Sequence, residues 1–310
     1  MIKKIELLDN KDLEIKWRIS HSCNIGCSYC IQAKKWQKPE DIKKEQIEIE
    51  ALADDVNKII EKHPERKNIK LQLIGGEVSI FDLKSLLNHF SRLNKLCITT
   101  NIIRDVDYYI DLAEYCKSRN IFISIICSFH EEFIDLDTFI SKVETLKSHC
   151  GFITVEMVSV DSNQDLVKKF IEKVHTTDLD YMVDRDMRGI KDKQHLIACA
   201  RKKNKPPKYK ITYDDDTVKY FDSRNLFLTD PSTDTRNTQL YFNSRGYKCT
   251  HSYDYVYIDY DEVIGWSKDD LEDCRKHIPI KDFDLIDSPR ECKQKGFGCS
   301  LCGSFSLIKE

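Results

Sequence analysis

No stretch of this chain approaches the ~20 consecutive apolar residues that a membrane-spanning helix requires. Its start, Met1-Ile2-Lys3-Lys4, leads into acidic residues and not into the apolar centre of a signal peptide. The chain is therefore expected to be cytoplasmic, with no membrane among its partners. Charge of one sign is missing too. There are 49 Lys and Arg against 52 Asp and Glu, a formal net charge of −3, and the charged 33 % is spread along the chain. That pattern excludes a broad polyanion-binding face, so no nucleic-acid partner is expected. The short basic run Arg201-Lys202-Lys203-Asn204-Lys205 reads as a solvated loop. No internal repeat is visible beyond an alternation of strand and helix signals.

Cysteine, by contrast, is plentiful, with 13 in 310 residues. In a reducing compartment that number points to metal or redox chemistry before disulfides. Cys97, Cys116, Cys127, Cys150 and Cys199 are scattered and read as small buried apolar residues. The remaining eight fall into two groups, at 23–30 and 249–302. The first, Cys23-Asn24-Ile25-Gly26-Cys27-Ser28-Tyr29-Cys30, has the spacing C-x3-C-x2-C and no fourth cysteine nearby. A [4Fe–4S] cluster offers four irons, each wanting one thiolate. Three ligands on one tight loop leave one iron open, as a catalytic zinc keeps one position open. The alternatives are a zinc knuckle or chance proximity of buried thiols. Zinc favours paired C-x2-C units, whereas the next cysteine is Cys97 and the next histidine His63.

Cys23, Cys27 and Cys30, with Tyr29 before the last of them, resemble the signature of the radical S-adenosylmethionine (SAM) superfamily. The resemblance implies that the open iron binds SAM and that a 5′-deoxyadenosyl radical is released to take a hydrogen atom from substrate. Further residues are assigned on the same resemblance. Gly75-Gly76-Glu77 is similar to the motif that holds the amino group of SAM, with Val78 where the family commonly has proline. Asn101 in Thr99-Thr100-Asn101, Ser124, Ser128 and Asn163 occupy places where family members contact SAM, and Tyr29 belongs to the same cofactor site. Each of the polar residues following a strand also reads as a turn or cap residue. His130, in Ser128-Phe129-His130-Glu131-Glu132, is the candidate catalytic side chain, orienting substrate or carrying a proton. Cys127 would serve as a hydrogen-atom donor only if it faced the interior of the site.

The alternation of patterns sets the fold class. Strand patterns at Leu13–Ser20, Ile69–Ile74, Lys95–Thr99, Ile121–Cys127, Phe152–Val160 and Leu179–Val183 alternate with helical ones. The helical patterns lie at Ile42–Ile60, Leu83–Phe90, Val106–Cys116, Phe133–Leu146 and Leu166–Val174. Repeated βα units require a parallel sheet with right-handed crossovers. About six units resemble the partial (β/α)6 TIM-like barrel of the family, and the cysteine loop then sits at the C-terminal ends of the strands. The expected organisation is a barrel over 1–190, a linker with a hairpin over 191–247, and a small α+β iron–sulfur domain over 248–310.

In that tail, Cys249 precedes a hairpin over 255–266, Cys274 and Cys292 follow, and Cys299-Ser300-Leu301-Cys302 forms a C-x2-C pair. The arrangement resembles the twitch or SPASM region that holds an auxiliary [4Fe–4S] cluster. The family's second cysteine falls at Asp270 here, so Cys274, Cys292 or Asp270 completes the set. A structural zinc is the alternative. Such members modify ribosomally made peptides by crosslinking, epimerisation or oxidation, or oxidise sugars and aminocyclitols. The peptide reading is favoured, although only 22 residues precede Cys23 and no recognition domain is expected there. An electron donor such as flavodoxin or ferredoxin is the implied protein partner. A non-catalytic Fe–S electron-transfer protein or zinc scaffold is the rival from another class.

Overall fold

The computed structural model describes residues 2–7, 12–30, 38–186, 195–197, 199–201, 209–221, 248–249, 251–268, 276–291 and 307–308. In chain order its first elements are β1 (Ile2–Leu7), β2 (Asp12–Ser20), α1 (Pro39–Lys62), β3 (Asn68–Gly75), α2 (Leu83–Leu87), β4 (Lys95–Thr100) and α3 (Val106–Ser118). There follow β5 (Phe122–Phe129), α4 (Leu136–Lys147), β6 (Phe152–Ser159), α5 (Gln164–His175), β7 (Asp180–Arg185) and β8 (Cys199–Arg201). The rest are short strands: β9 (Tyr209–Tyr213), β10 (Val218–Phe221), β11 (Lys248–Cys249), β12 (Tyr255–Asp259), β13 (Glu262–Gly265), β14 (Lys276–Pro279), β15 (Arg290–Glu291) and β16 (Leu307–Ile308). Among the described residues no helix is long and apolar enough to cross a membrane.

Two compact units result. One comprises residues 17–57 and 70–203, the other 1–16, 58–69 and 204–310. This differs from three consecutive segments. The first strand, β1, pairs antiparallel with β9, so the start of the chain joins the part that follows residue 204. Composition along the chain carries no signal for a partner so distant in sequence.

The first unit is α/β with a mostly parallel sheet. β3, β4, β5, β6 and β7 pair in parallel in that order, β2 neighbours β3, and β8 pairs antiparallel with β7. Every strand pattern read from the sequence here became a strand, since β-branched and apolar residues at alternate positions bury one face. On β5 the two faces are told apart by their contacts. Phe129 packs 5.1 Å from Phe139 of α4 and 6.0 Å from Phe170 of α5, ring centre to ring centre. Ser128, one residue earlier, points the opposite way into a cavity. Cys127 shares the face of Phe129 and is fully buried, so it does not face the interior as a hydrogen-atom donor must.

Side-chain caps start α2 and α4. Asp82 accepts hydrogen bonds from the backbone N–H groups of Lys84 and Ser85 at α2, and Asp135 from Thr138 at α4. α1 opens on Pro39 with Glu40 and Asp41 in its first turn, which suits the positive end of a helix.

The second unit is built of short antiparallel strands. β9 and β10 form a hairpin turned at Asp214–Asp216, where Asp216 has a φ of 60°. β12, β13 and β14 form a meander around a turn at Tyr260 (φ 57°). Aspartate takes this left-handed conformation readily, whereas Tyr260 is an uncommon residue for it. Trp266 is buried beside this meander, its backbone N–H donating to the Ser252 hydroxyl.

Candidate functional site

The cysteine loop leaves β2 at Ser20 and is held on two sides. On one side β3 extends the backbone ladder along it. The Gly76 N–H donates to the Ser20 carbonyl at 2.9 Å and the Glu77 N–H to the Ser22 carbonyl at 2.8 Å. Both glycines are demanded by this approach. A Cβ on Gly75 or Gly76 would lie well inside contact distance of the Ser20 or Ser22 carbonyl oxygen, and Gly75 has a φ of 151°. Glu45 of α1 completes the anchorage, accepting hydrogen bonds from the Ser20 and Ser22 hydroxyls at 2.5 and 2.6 Å.

Glu77 is buried and turns inward. Its carboxylate accepts from the Ser79 N–H (2.9 Å), the Thr100 hydroxyl (2.6 Å) and the Asn101 N–H (2.6 Å). Burial pushes its carboxyl above the ordinary range, against the pull of these donors. Asn101 passes the connection on, its side-chain N–H2 donating to Asn24 Oδ1 at 2.7 Å and its own Oδ1 accepting from the Ile103 N–H at 3.0 Å. Asn101 thus braces the loop with its side chain, and the Glu77 carboxylate holds Asn101 in place.

The other side of the loop is held by the segment after β5. His130 Nδ1 lies 3.2 Å from Cys27 Sγ and 2.9 Å from the Tyr29 hydroxyl. Glu132 accepts from both the backbone N–H and the hydroxyl of Ser28. Burial lowers the His130 pKa to about 4, so the imidazole is neutral near pH 7. Burial, then the nearby Cys23 and Cys30, push the Cys27 thiol up to about 11. Burial raises Cys23 and Tyr29 as well.

Between these walls lies a cavity of about 560 Å³, a size usual for small-molecule sites. It is lined by Cys23, Cys27, Cys30, Tyr29, Gly75 and Gly76, together with Glu77, Asn101, Ser128 and His130. The residues singled out from the sequence in the first unit therefore meet in one place, with two exceptions besides Cys127. Ser124 lies toward the start of β5, its hydroxyl on the Leu96 carbonyl. Asn163 is a buried capping residue, accepting from the Val160 N–H and donating to the Val158 carbonyl. Neither lines the cavity. In the second unit Cys249 is buried on β11. Cys274, Cys292, Cys299, Cys302 and Asp270 lie outside the described residues.

The donor set suits an iron–sulfur cluster. Three thiols line the cavity, with Cys23 and Cys30 near enough to raise Cys27, and soft thiolate ligands select Fe–S or zinc. Among the described residues no group of three or more His, Cys, Asp or Glu could hold a metal ion. Thiolates spread around a four-iron cluster need not converge on one ion. Sequence reading passed over Glu45, Glu132, Glu156 and Arg185. Glu156 and Arg185 line the cavity from β6 and β7, and Ser128 donates to Glu156. Glu132 stood in view beside His130, whereas nothing local marked Glu45 on its helix.

No protein-family model and no curated protein matches the chain. Among solved structures it is similar to Streptococcus suis SuiB bound to precursor peptide SuiA, at 16 % identity and a TM-score of 0.40, over 56 % of this chain and 39 % of that one. It is similar to anSMEcpe with bound AdoMet at 12 % identity and a TM-score of 0.47, over 88 % of this chain and 79 % of that one. A third is Escherichia coli coproporphyrinogen III oxidase HemN, a radical SAM enzyme, at 13 % identity and a TM-score of 0.41, over 60 % of this chain and 49 % of that one. The chain thus spans less than two thirds of the SuiB and HemN chains.

Proposed function

We propose that this chain is a radical SAM enzyme that holds a [4Fe–4S] cluster on Cys23, Cys27 and Cys30 and binds SAM in the adjoining cavity. The observation that carries the reading is the meeting of three thiols, spaced C-x3-C-x2-C, with the glycine-built end of β3 on one cavity. When bound, the cluster supplies an electron and SAM the 5′-deoxyadenosyl radical that takes a hydrogen atom from substrate. The chain's own residues hold and shield that chemistry. Gly75 and Gly76 let backbone come close to a ligand, while Glu77, Asn101 and Glu45 keep the cysteine loop in place. Ser128 and Glu156 offer polar groups to the same cavity.

The substrate proposed is a ribosomally made peptide, with a small sugar or aminocyclitol as the alternative. Support comes from the tail, where Cys249 and the β12–β13 hairpin stand in the order expected of an auxiliary-cluster domain. Cys299, Cys302 and one of Cys274, Cys292 or Asp270 would supply that cluster's further ligands, and a flavodoxin or ferredoxin would supply the enzyme's electrons.

Anaerobic reconstitution with iron and sulfide, followed by dithionite and SAM, tests the reading through chromatographic detection of 5′-deoxyadenosine. The wild type should produce it and Cys27→Ala should not, with about eight irons per wild-type chain if both clusters fill. A loaded first cluster without deoxyadenosine would instead promote a non-catalytic Fe–S protein. Turnover of a leader-bearing peptide against a free sugar or amine separates the substrate classes.

A further inference from the structure

His130 and Glu132 touch the cysteine loop at three consecutive positions, Cys27, Ser28 and Tyr29. Glu132 takes both donors of Ser28, while His130 reaches Cys27 and Tyr29. The imidazole and the Tyr29 ring lie nearly parallel, 12° apart with centres at 6.0 Å, so the histidine's orientation is set. A neutral imidazole has one N–H and one lone pair. Toward a protonated Cys27 the lone pair on Nδ1 accepts the S–H. A cysteine that holds iron has lost that proton, because the thiolate is the ligand. A lone pair facing a thiolate at 3.2 Å is repulsive, and the contact becomes favourable only when the hydrogen sits on Nδ1.

We propose that His130 donates its Nδ1–H to the Cys27 sulfur and thereby raises the reduction potential of the cluster held there. This rests on the reading of Cys23, Cys27 and Cys30 as cluster ligands and gives His130 a positioning role in place of proton transfer. Hydrogen bonds to cluster sulfurs favour the reduced form, which carries the more negative charge, and they are among the determinants of potential. The Tyr29 hydroxyl, at the same nitrogen, is free to turn its hydrogen toward the sulfur as a second donor.

An EPR-monitored redox titration of the reconstituted full chain tests this, using the change of signal on adding SAM to mark the first cluster. Wild type, His130→Leu and His130→Asn are compared, with iron counted in each. With wild-type iron, His130→Leu should show an about tenfold smaller ratio of reduced to oxidised cluster at the wild-type midpoint, about 59 mV for one electron. His130→Asn, whose amide N–H lies near the place of Nδ1, should recover most of it. Equal midpoints in all three overturn the inference. Should the leucine variant fail to load, His130→Gln replaces it, since its amide reaches the place of Nε2. A shift in the glutamine variant and not in the asparagine one supports the proposal, and equal behaviour overturns it. Cys27→Ala in the same series keeps the two claims apart. A wild type with no more iron than Cys27→Ala refutes the cluster reading itself.

Discussion

At Gly76 the backbone of one strand end lies so close to Ser22 that a methyl group has nowhere to go. The neighbouring atoms are carbonyl groups of the cysteine loop and not flexible side-chain tips, so the clash cannot be relieved without moving the loop. Gly76→Ala should cost about 1–3 kcal/mol, the usual range for an overpacked interior position. Chemical denaturation would read this as a lower midpoint at unchanged slope, and an unchanged midpoint would refute the account. The glycine pair and the triad were legible as residues, because each stands in a short local pattern. The inward turn of the Glu77 carboxylate and of the Asn101 amide was not. Their partners, Thr100, Asn24 and the backbone of a neighbouring strand, become neighbours only once β3 and β4 lie side by side.

Strands and helices were the most legible elements, since burial of alternate positions or of one helical stripe is written directly in the sequence. α4 shows what that burial does. Phe139, Ile140, Val143 and Leu146 are its buried residues, and Phe139 meets Phe129 of β5. Truncation at such a site removes transfer free energy and leaves a cavity. Phe139→Ala should therefore destabilise the chain by about 3–5 kcal/mol, seen as a fall in thermal or denaturant midpoint. A change below about 1 kcal/mol would mean that α4 is not docked through this side chain. The helix has a second task. Lys142 donates to the carbonyls of Ile102, Ile103 and Arg104, just beyond β4. Ile102 there has a φ of 54°, an unusual conformation for a β-branched residue, and it immediately follows Asn101. The lysine holds in place the backbone turn that aims Asn101 at the cysteine loop.

On the scale of the whole molecule, the chain forms two units that are each discontinuous in sequence. β1 is the clearest case, with Leu7 opposite Tyr209 and Ile5 opposite Ile211. Deleting residues 2–7 would uncover the β9 edge. Limited trypsinolysis read by mass spectrometry should then show faster cleavage at Lys210 and Lys219, with no change in the 70–186 region. Equal cleavage in both proteins would refute the role given to β1. The sequence by itself determined the chemistry of the donor set and the α/β class, because ligand spacing and hydrophobic periodicity are properties of neighbouring residues. Only the tertiary structure decided that Ser128 reaches the cavity while Ser124 and Asn163 do not, that Cys127 turns toward the helices, and that His130 lies against Cys27. Those outcomes depend on strand register and on which loops come together at one end of the sheet. A one-residue change of register turns every side chain of a strand to its opposite face, so no local pattern can settle them.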